Sequence, residues 1–142
     1  MKEKSTEDLL EILKNTTPDQ MTALLGEIKE YKGKTFCGFL LECCQKYGIE
    51  SNELIRVSGI SRTYGYQILD GSRRPGRDKV VEIALGARFS LEDTQQLLKL
   101  VGHGILYPKN PRDALLIFCL SNGIGVIQTN EVLDAMAMNL LE

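Results

Sequence analysis

The chain has no tryptophan, a single histidine and no stretch in which polar and apolar residues alternate as they do in a half-buried strand. Without alternation, the fold class expected is all-α. With His103 as the only histidine, a zinc site would need cysteine pairs, and Cys37, Cys43, Cys44 and Cys119 contain no CxxC spacing. The four thiols therefore read as reduced packing groups, and no metal or cofactor is expected. Long apolar runs are also missing. The longest, Ala114 to Leu120, falls far short of the roughly 18 residues that a membrane-spanning helix needs. The start, MKEKSTEDLL, carries acids where a secretory leader has its apolar stretch, so the expected location is the cytoplasm, with no membrane partner.

What is present is the composition of a globular protein. The 142 residues are 43% hydrophobic and 25% charged, enough to build one compact core without disulfide or metal staples. The net charge of −2 is unevenly spread. Residues 1–53 hold 7 basic and 10 acidic side chains, residues 54–88 hold 7 and 3, and residues 89–142 hold 3 and 6. The basic excess thus sits in one central segment, where a local anion-binding surface would place it.

Helix starts and stops recur along the chain. A short helix is expected over Thr6 to Lys14, with Leu9, Leu10, Ile12 and Leu13 as its apolar side. Thr17-Pro18-Asp19-Gln20 combines a cap, a first-turn proline and a capping-box partner, and opens a helix to about Tyr31. Thr35 to Tyr47 carries one apolar stripe of Phe36, Phe39, Leu40, Cys43, Cys44 and Tyr47. Ser51 is expected to cap a helix over Asn52 to Ser58, and Ser61 another over Arg62 to Leu69. Helices over Asp78 to Ala87 and from Leu91 to about Val101 follow. Asn110-Pro111-Arg112-Asp113 opens the next, which is apolar nearly all round from Leu115 to Leu120. A last helix should reach Leu140, with Val132, Leu133, Met136 and Leu140 on one side.

The informative stretch is SNELIRVSGISRTYGYQILDG, Ser51 to Gly71. Two short helices meet at a tight turn at Gly59, and Leu54, Ile55, Ile60, Ile68 and Leu69 can pack between them at a steep angle. The outer face of the second helix then carries Arg62, Thr63, Tyr66 and Gln67 near its positive end. A helix held this way fits a DNA major groove, where its early residues meet base edges.

On these residues the segment resembles the helix-turn-helix domains of the lambda-repressor-like, or xenobiotic-response-element, family. Ser51 opens the motif, Gly59 is its turn glycine, Ile60-Ser61 its apolar residue and second cap, Ile68 its packing residue, and Gly71 closes the second helix. The resemblance covers about residues 35–102 and implies a five-helix domain over 35–104. Residues 1–34 read as an N-terminal helical arm, and residues 105–142 as a C-terminal two-helix extension expected to pack onto the helix Leu91–Val101, to dimerise, or both. The resemblance implies base contacts from Arg62, Thr63 and Gln67, to which the outward face of the same helix adds Tyr66. It also implies phosphate contacts near Ser51 and from Arg73 and Arg74; Arg77 and Lys79 extend that basic cluster, and Ser61 is a further phosphate candidate. Two positions depart from the family pattern. Ile55 stands where alanine is usual, and Gly65 where a buried branched residue is usual. The two are complementary in size, which leaves two outcomes open: compensatory packing that preserves the fold, or a tilted second helix that enters a groove less well.

No enzyme is expected. His103 lies between glycines at a helix end, and no serine or cysteine stands in a nucleophile context. Gly123-Ile124-Gly125 follows no strand and lacks dinucleotide spacing, and Glu7-Asp8 and Glu92-Asp93 read as first-turn partners of the helix dipole. The function expected is that of a sequence-specific duplex DNA-binding transcription regulator, bacterial and homodimeric, with about residues 61–69 in the major groove. The alternative is an all-helical protein-interaction adaptor that keeps the fold without specific DNA binding. It is motivated by the net charge, the acidic flanks, Gly65 and the apolar C-terminal helices, which could seat a protein partner.

Overall fold

The computed structural model describes residues 6–22 and 35–142. The chain divides into two compact units, Met1–Lys34 and Thr35–Glu142. In the first, helix α1 spans Thr6–Lys14, with Glu7 and Asp8 at its positive end and Lys14 at its negative end. Leu10 and Leu13 stay exposed on it. Residues 18–22 are helical, and Gln20 Oε1 accepts a hydrogen bond from the Thr17 N–H at 3.4 Å, half of the expected capping box. The continuation to Tyr31 lies outside the described residues.

The second unit consists of α2 (Phe36–Tyr47), α3 (Ser51–Ser58), α4 (Arg62–Asp70), α5 (Arg77–Ala87), α6 (Leu91–Leu100), α7 (Pro111–Ser121) and α8 (Val126–Ala135). The described residues contain no strand, so the protein is all-helical there. Four helix starts are capped by side chains, those of Ser61, Ser90 and Asn110 as their sequences suggest and that of Thr35 in addition. Thr35, Ser61, Ser90 and Asn110 accept from the N–H groups of Gly38, Tyr64, Asp93 and Asp113 at 3.0–3.2 Å. The cap expected of Ser51 is not made: Glu50 takes the extended cap conformation, and Ser51 is already helical.

The last helix also differs from the sequence reading. It stops at Ala135 instead of reaching Leu140. Ala137 turns left-handed (φ 57°), and the Met138 N–H folds back onto the Leu133 carbonyl at 2.9 Å. The chain then buries Leu141, whose N–H donates to Asn130 Oδ1, while Met136 and Leu140 are exposed. The period-3.6 pattern over 132–140 is therefore broken by a tertiary demand, the docking of Leu141.

Helix α5 occupies the centre. Six consecutive residues, Val80 to Leu85, are buried, so every face of this helix is covered. Helices α3, α6, α7 and α8 all pack against it. The closest approach is at Gly86, where a Cβ would lie 2.3 Å from the Val57 carbonyl oxygen of α3, so only glycine lets these two backbones meet. A single hydrophobic core runs from Leu40 through Ile68, Ile83 and Leu97 to Leu116, Leu133 and Leu141. Residues 105–142 thus share their core with residues 35–104. On α7, Leu116, Cys119 and Leu120 are buried and Phe118 faces outward at 55% exposure.

Polar ties between helix ends fix this arrangement. The dipeptide Arg-Asp stands at the start of α5 (Arg77-Asp78) and again at the start of α7 (Arg112-Asp113), and the two copies pair crosswise. Arg77 Nη1 and Nη2 donate to the two Asp113 oxygens at 2.9 and 2.8 Å. Arg112 Nη1 and Nη2 donate to the two Asp78 oxygens at 3.1 and 2.9 Å. Each guanidinium also holds nearby chain: Arg77 donates to the Gly104 and Ile105 carbonyls, and Arg112 to those of Asn139 and Leu140. On α6, Tyr47 OH donates to Asp93 Oδ2 at 2.7 Å and accepts from the Ser90 N–H at 2.8 Å.

The Arg77 guanidinium, helped by the Tyr107 N–H, holds the Asp113 carboxyl below its usual range against the opposing effect of burial. A carboxylate depressed in the folded state stabilises the fold above its unfolded pKa of about 3.9, and that contribution is lost as pH falls below it. Asp113→Asn should cost about 2–3 kcal/mol at neutral pH, below the range for fully buried pairs because Arg77 keeps partial contact with water. Urea unfolding at pH 7 and pH 3 checks this: the gap between variant and parent should narrow in acid. A gap that is unchanged would show that the cost does not come from the ionised carboxylate.

Candidate nucleic-acid interface

The three residues Gly59, Ile60 and Ser61 join α3 to α4. Gly59 takes the left-handed conformation (φ 71°) that reverses the chain here without a Cβ penalty. Ile60 is half-buried under the turn, and Ser61 caps α4. On the inner side of α4, Gly65 and Ile68 are buried. A Cβ on Gly65 would lie 2.5 Å from Ile55 Cγ1, with two further Ile55 carbons within 3.0 Å. Ile55 therefore fills the volume that a side chain at 65 would take. Ile55 and Gly65 are thus complementary in volume, and α3 and α4 remain in close contact.

The outer side of α4 presents Arg62, Thr63 and Tyr66 as exposed side chains, with Gln67 half-buried beside them. These four are brought onto one surface. Arg62 lies over the Tyr66 ring, 5.7 Å from its centroid. A groove of about 340 Å³ opens beside them, lined by Asn52, Ile55, Arg56, Ile60, Arg62 and Tyr66. Asn52 and Arg56 were not singled out in the sequence. Their spacing four residues apart on α3 was the available signal, and only the fold puts that edge beside α4. Arg56 is paired with Glu53, one turn earlier on the same helix.

The residues expected at phosphates divide into two groups. Ser61 is exposed at the tip of α4, and Arg73 is exposed with its guanidinium 5.1 Å from the centre of the Tyr64 ring. Ser51 is half-buried at the start of α3. Arg74 is exposed, but its Nε donates to the Val101 carbonyl at 2.7 Å. Arg77 is taken up by Asp113 and two carbonyls, as described above. Lys79 donates to Glu82 Oε2 at 3.2 Å, and both side chains are mostly buried. Burial pushes the Glu82 carboxyl upward, and Lys79 opposes that shift. Among the described residues, the clamp of four cations expected after the motif thus reduces to Arg73 and the free end of Arg74. For Lys79 the reason is local, a partner one turn along its own helix. For Arg74 and Arg77 it is tertiary: α7 meets Arg77, and the loop after α4 lies against the end of α6, where His103 Nε2 also meets the Pro75 carbonyl at 2.9 Å.

Among the described residues, no group of three or more His, Cys, Asp or Glu side chains could hold a metal ion. No helix there is long and apolar enough to cross a membrane. Cys43, Cys44 and Cys119 are buried, and Cys37 is half-buried with its thiol donating to the Ile68 carbonyl at 3.3 Å. Burial, with Asp93 adding to it, pushes the Cys43 thiol up to about 11, so it stays protonated at neutral pH. Comparison with models of protein families, with curated proteins and with solved structures finds no match to this chain.

The Ile55–Gly65 contact makes a quantitative demand. Gly65→Ala should cost about 1–3 kcal/mol by overpacking, and Ile55→Ala about 2–5 kcal/mol by leaving a cavity. The double variant should be less destabilised than the sum of the two by at least about 1 kcal/mol, because each change relieves the other. Urea denaturation of the four proteins measures it, and strict additivity would mean that the two positions do not share one volume.

Proposed function

We propose that this chain is a sequence-specific duplex DNA-binding transcription regulator, in which residues 35–104 form a lambda-repressor-like helix-turn-helix domain and α4 enters the major groove. The observation that carries the reading is the outer face of α4. It gathers Arg62, Thr63, Tyr66 and Gln67 at the positive end of a helix whose first turn contains no acid. Arg62 makes no ion pair with any described residue, so its donors are available to a base edge. Arg73 and the free Nη groups of Arg74 flank α4 and suit phosphates. A homodimer on a two-fold site suits the reading, with the outward Phe118 of α7 in the extension as a place for a second copy. The working location is a bacterial cytoplasm, and no catalytic step is assigned.

A second reading has one observation in its favour. Arg74, Arg77 and Lys79, three of the four cations after the motif, are engaged within the protein. A chain of net charge −2 with so few free cations could serve as an all-helical adaptor that binds a protein through its C-terminal helices. Retention on heparin at low salt separates the two, since an adaptor should flow through.

The direct test is selection of bound fragments from sheared genomic DNA at about 50 and about 200 mM salt. One enriched motif, surviving the higher salt and lost in Arg62→Ala, is the expected result. With Arg73 and Arg74 as the free phosphate cations, log K should fall with log salt with a slope of about −2 per subunit, shallower than the −3 to −5 that a full cluster of cations implies. Absence of any enriched motif would sink the DNA reading in favour of the adaptor.

A further inference from the structure

Two tyrosines flank Gly65, and each carries an arginine. Tyr64 lies under Arg73 and Tyr66 under Arg62, with 5.1 and 5.7 Å between guanidinium carbon and ring centroid. Both distances fall within the roughly 6 Å reach of a cation–π contact. The two arginines occupy different places. Arg73 stands in the loop beyond α4, whereas Arg62 is the first residue of α4 and lines the groove between α3 and α4 together with Tyr66.

We propose that Tyr66 is a positioning residue that holds Arg62 ready for a guanine, so that this pair makes the bound site prefer G opposite the start of α4. The inference rests on the DNA-binding reading above and adds the base and the residue that enforces it. A guanidinium carries donors only. In the major groove guanine alone offers two adjacent acceptors, O6 and N7, whereas adenine sets a donor beside its N7. A guanidinium held over a ring face meets no hydrogen-bond acceptor there, so its N–H groups stay available to a bidentate contact. The contact also restricts the rotamers of Arg62 before DNA arrives, which lowers the entropy lost on binding. Neighbouring Arg56 shows the contrast. Its Nε and Nη2 are bonded to the Glu53 carboxylate, so one edge of its guanidinium is already taken. Tyr66 therefore acts through Arg62 and not as a base contact of its own.

Selection from a random duplex library with the full chain tests this, comparing the parent with Tyr66→Phe, Tyr66→Leu, Arg62→Lys and Arg73→Ala. Tyr66 is 39% exposed, so its variants should keep the parent's melting temperature, and Tyr66→Phe keeps the ring in any case. The parent should show a column with guanine enriched about five- to tenfold or more, as one bidentate contact provides. Tyr66→Phe should preserve that column. Tyr66→Leu and Arg62→Lys should flatten it toward background, with the rest of the motif and the salt dependence unchanged. Arg73→Ala should weaken all sequences alike and leave the guanine column in place. A motif whose guanine column survives Tyr66→Leu overturns the positioning role. A motif whose Arg62-dependent column is not guanine overturns the base assignment, and in both cases the DNA-binding reading stands. No motif from the parent overturns both.

Discussion

Two bidentate ion pairs, Arg77 with Asp113 and Arg112 with Asp78, tie the start of α5 to the start of α7. Because each arginine also bonds two carbonyls of a neighbouring segment, the pairs fix more than two helix ends. They hold the segment around Gly104 and Ile105 and the last residues of the chain, where the Glu142 N–H also donates to Asp78. Fork-to-fork geometry constrains direction as well as distance. Helix α5 is thereby locked at one end while four other helices cover its sides, and the rest of the unit is arranged around it.

The presentation of α4 follows from that lock. Helix α3 lies on α5 at backbone contact through Gly86, and α4 lies on α3 through the Ile55–Gly65 fit. The loop after α4 is held to α6 by Arg74 and His103. Each tie removes a direction in which α4 could move. On the proposed DNA-binding reading such support matters, since small displacements of a side chain that reads a base erase its preference.

The same ties set the electrostatics of the surface. Segment 54–88 carries seven basic side chains, but Arg56, Arg74, Arg77 and Lys79 hydrogen-bond within the protein. Of the remainder, Arg62 and Arg73 lie over tyrosine rings, and exposed Arg88 closes α5 in a left-handed conformation. A count of charges along the sequence therefore overstates the field that a polyanion meets. What is left is a small number of directed cations, which favours selectivity over general attraction.

The sequence by itself determined what depends on neighbours a few residues apart. Helix existence, most caps, the turn at Gly59 and the outward side of α4 follow from local hydrogen bonding and from the period of the apolar residues, both written into short stretches. Even the exchange of bulk between Ile55 and Gly65 was legible, because the positions face each other across one turn. Only the tertiary structure decided which cations are free, where the last helix stops, and that residues 105–142 join the core of the preceding helices. Those outcomes depend on partners 27 to 36 residues away, such as Val101 for Arg74 and Asp113 for Arg77. A local pattern can offer the one-turn pairs of Arg56 with Glu53 and Lys79 with Glu82, but none marks Arg77 for a carboxylate 36 residues away.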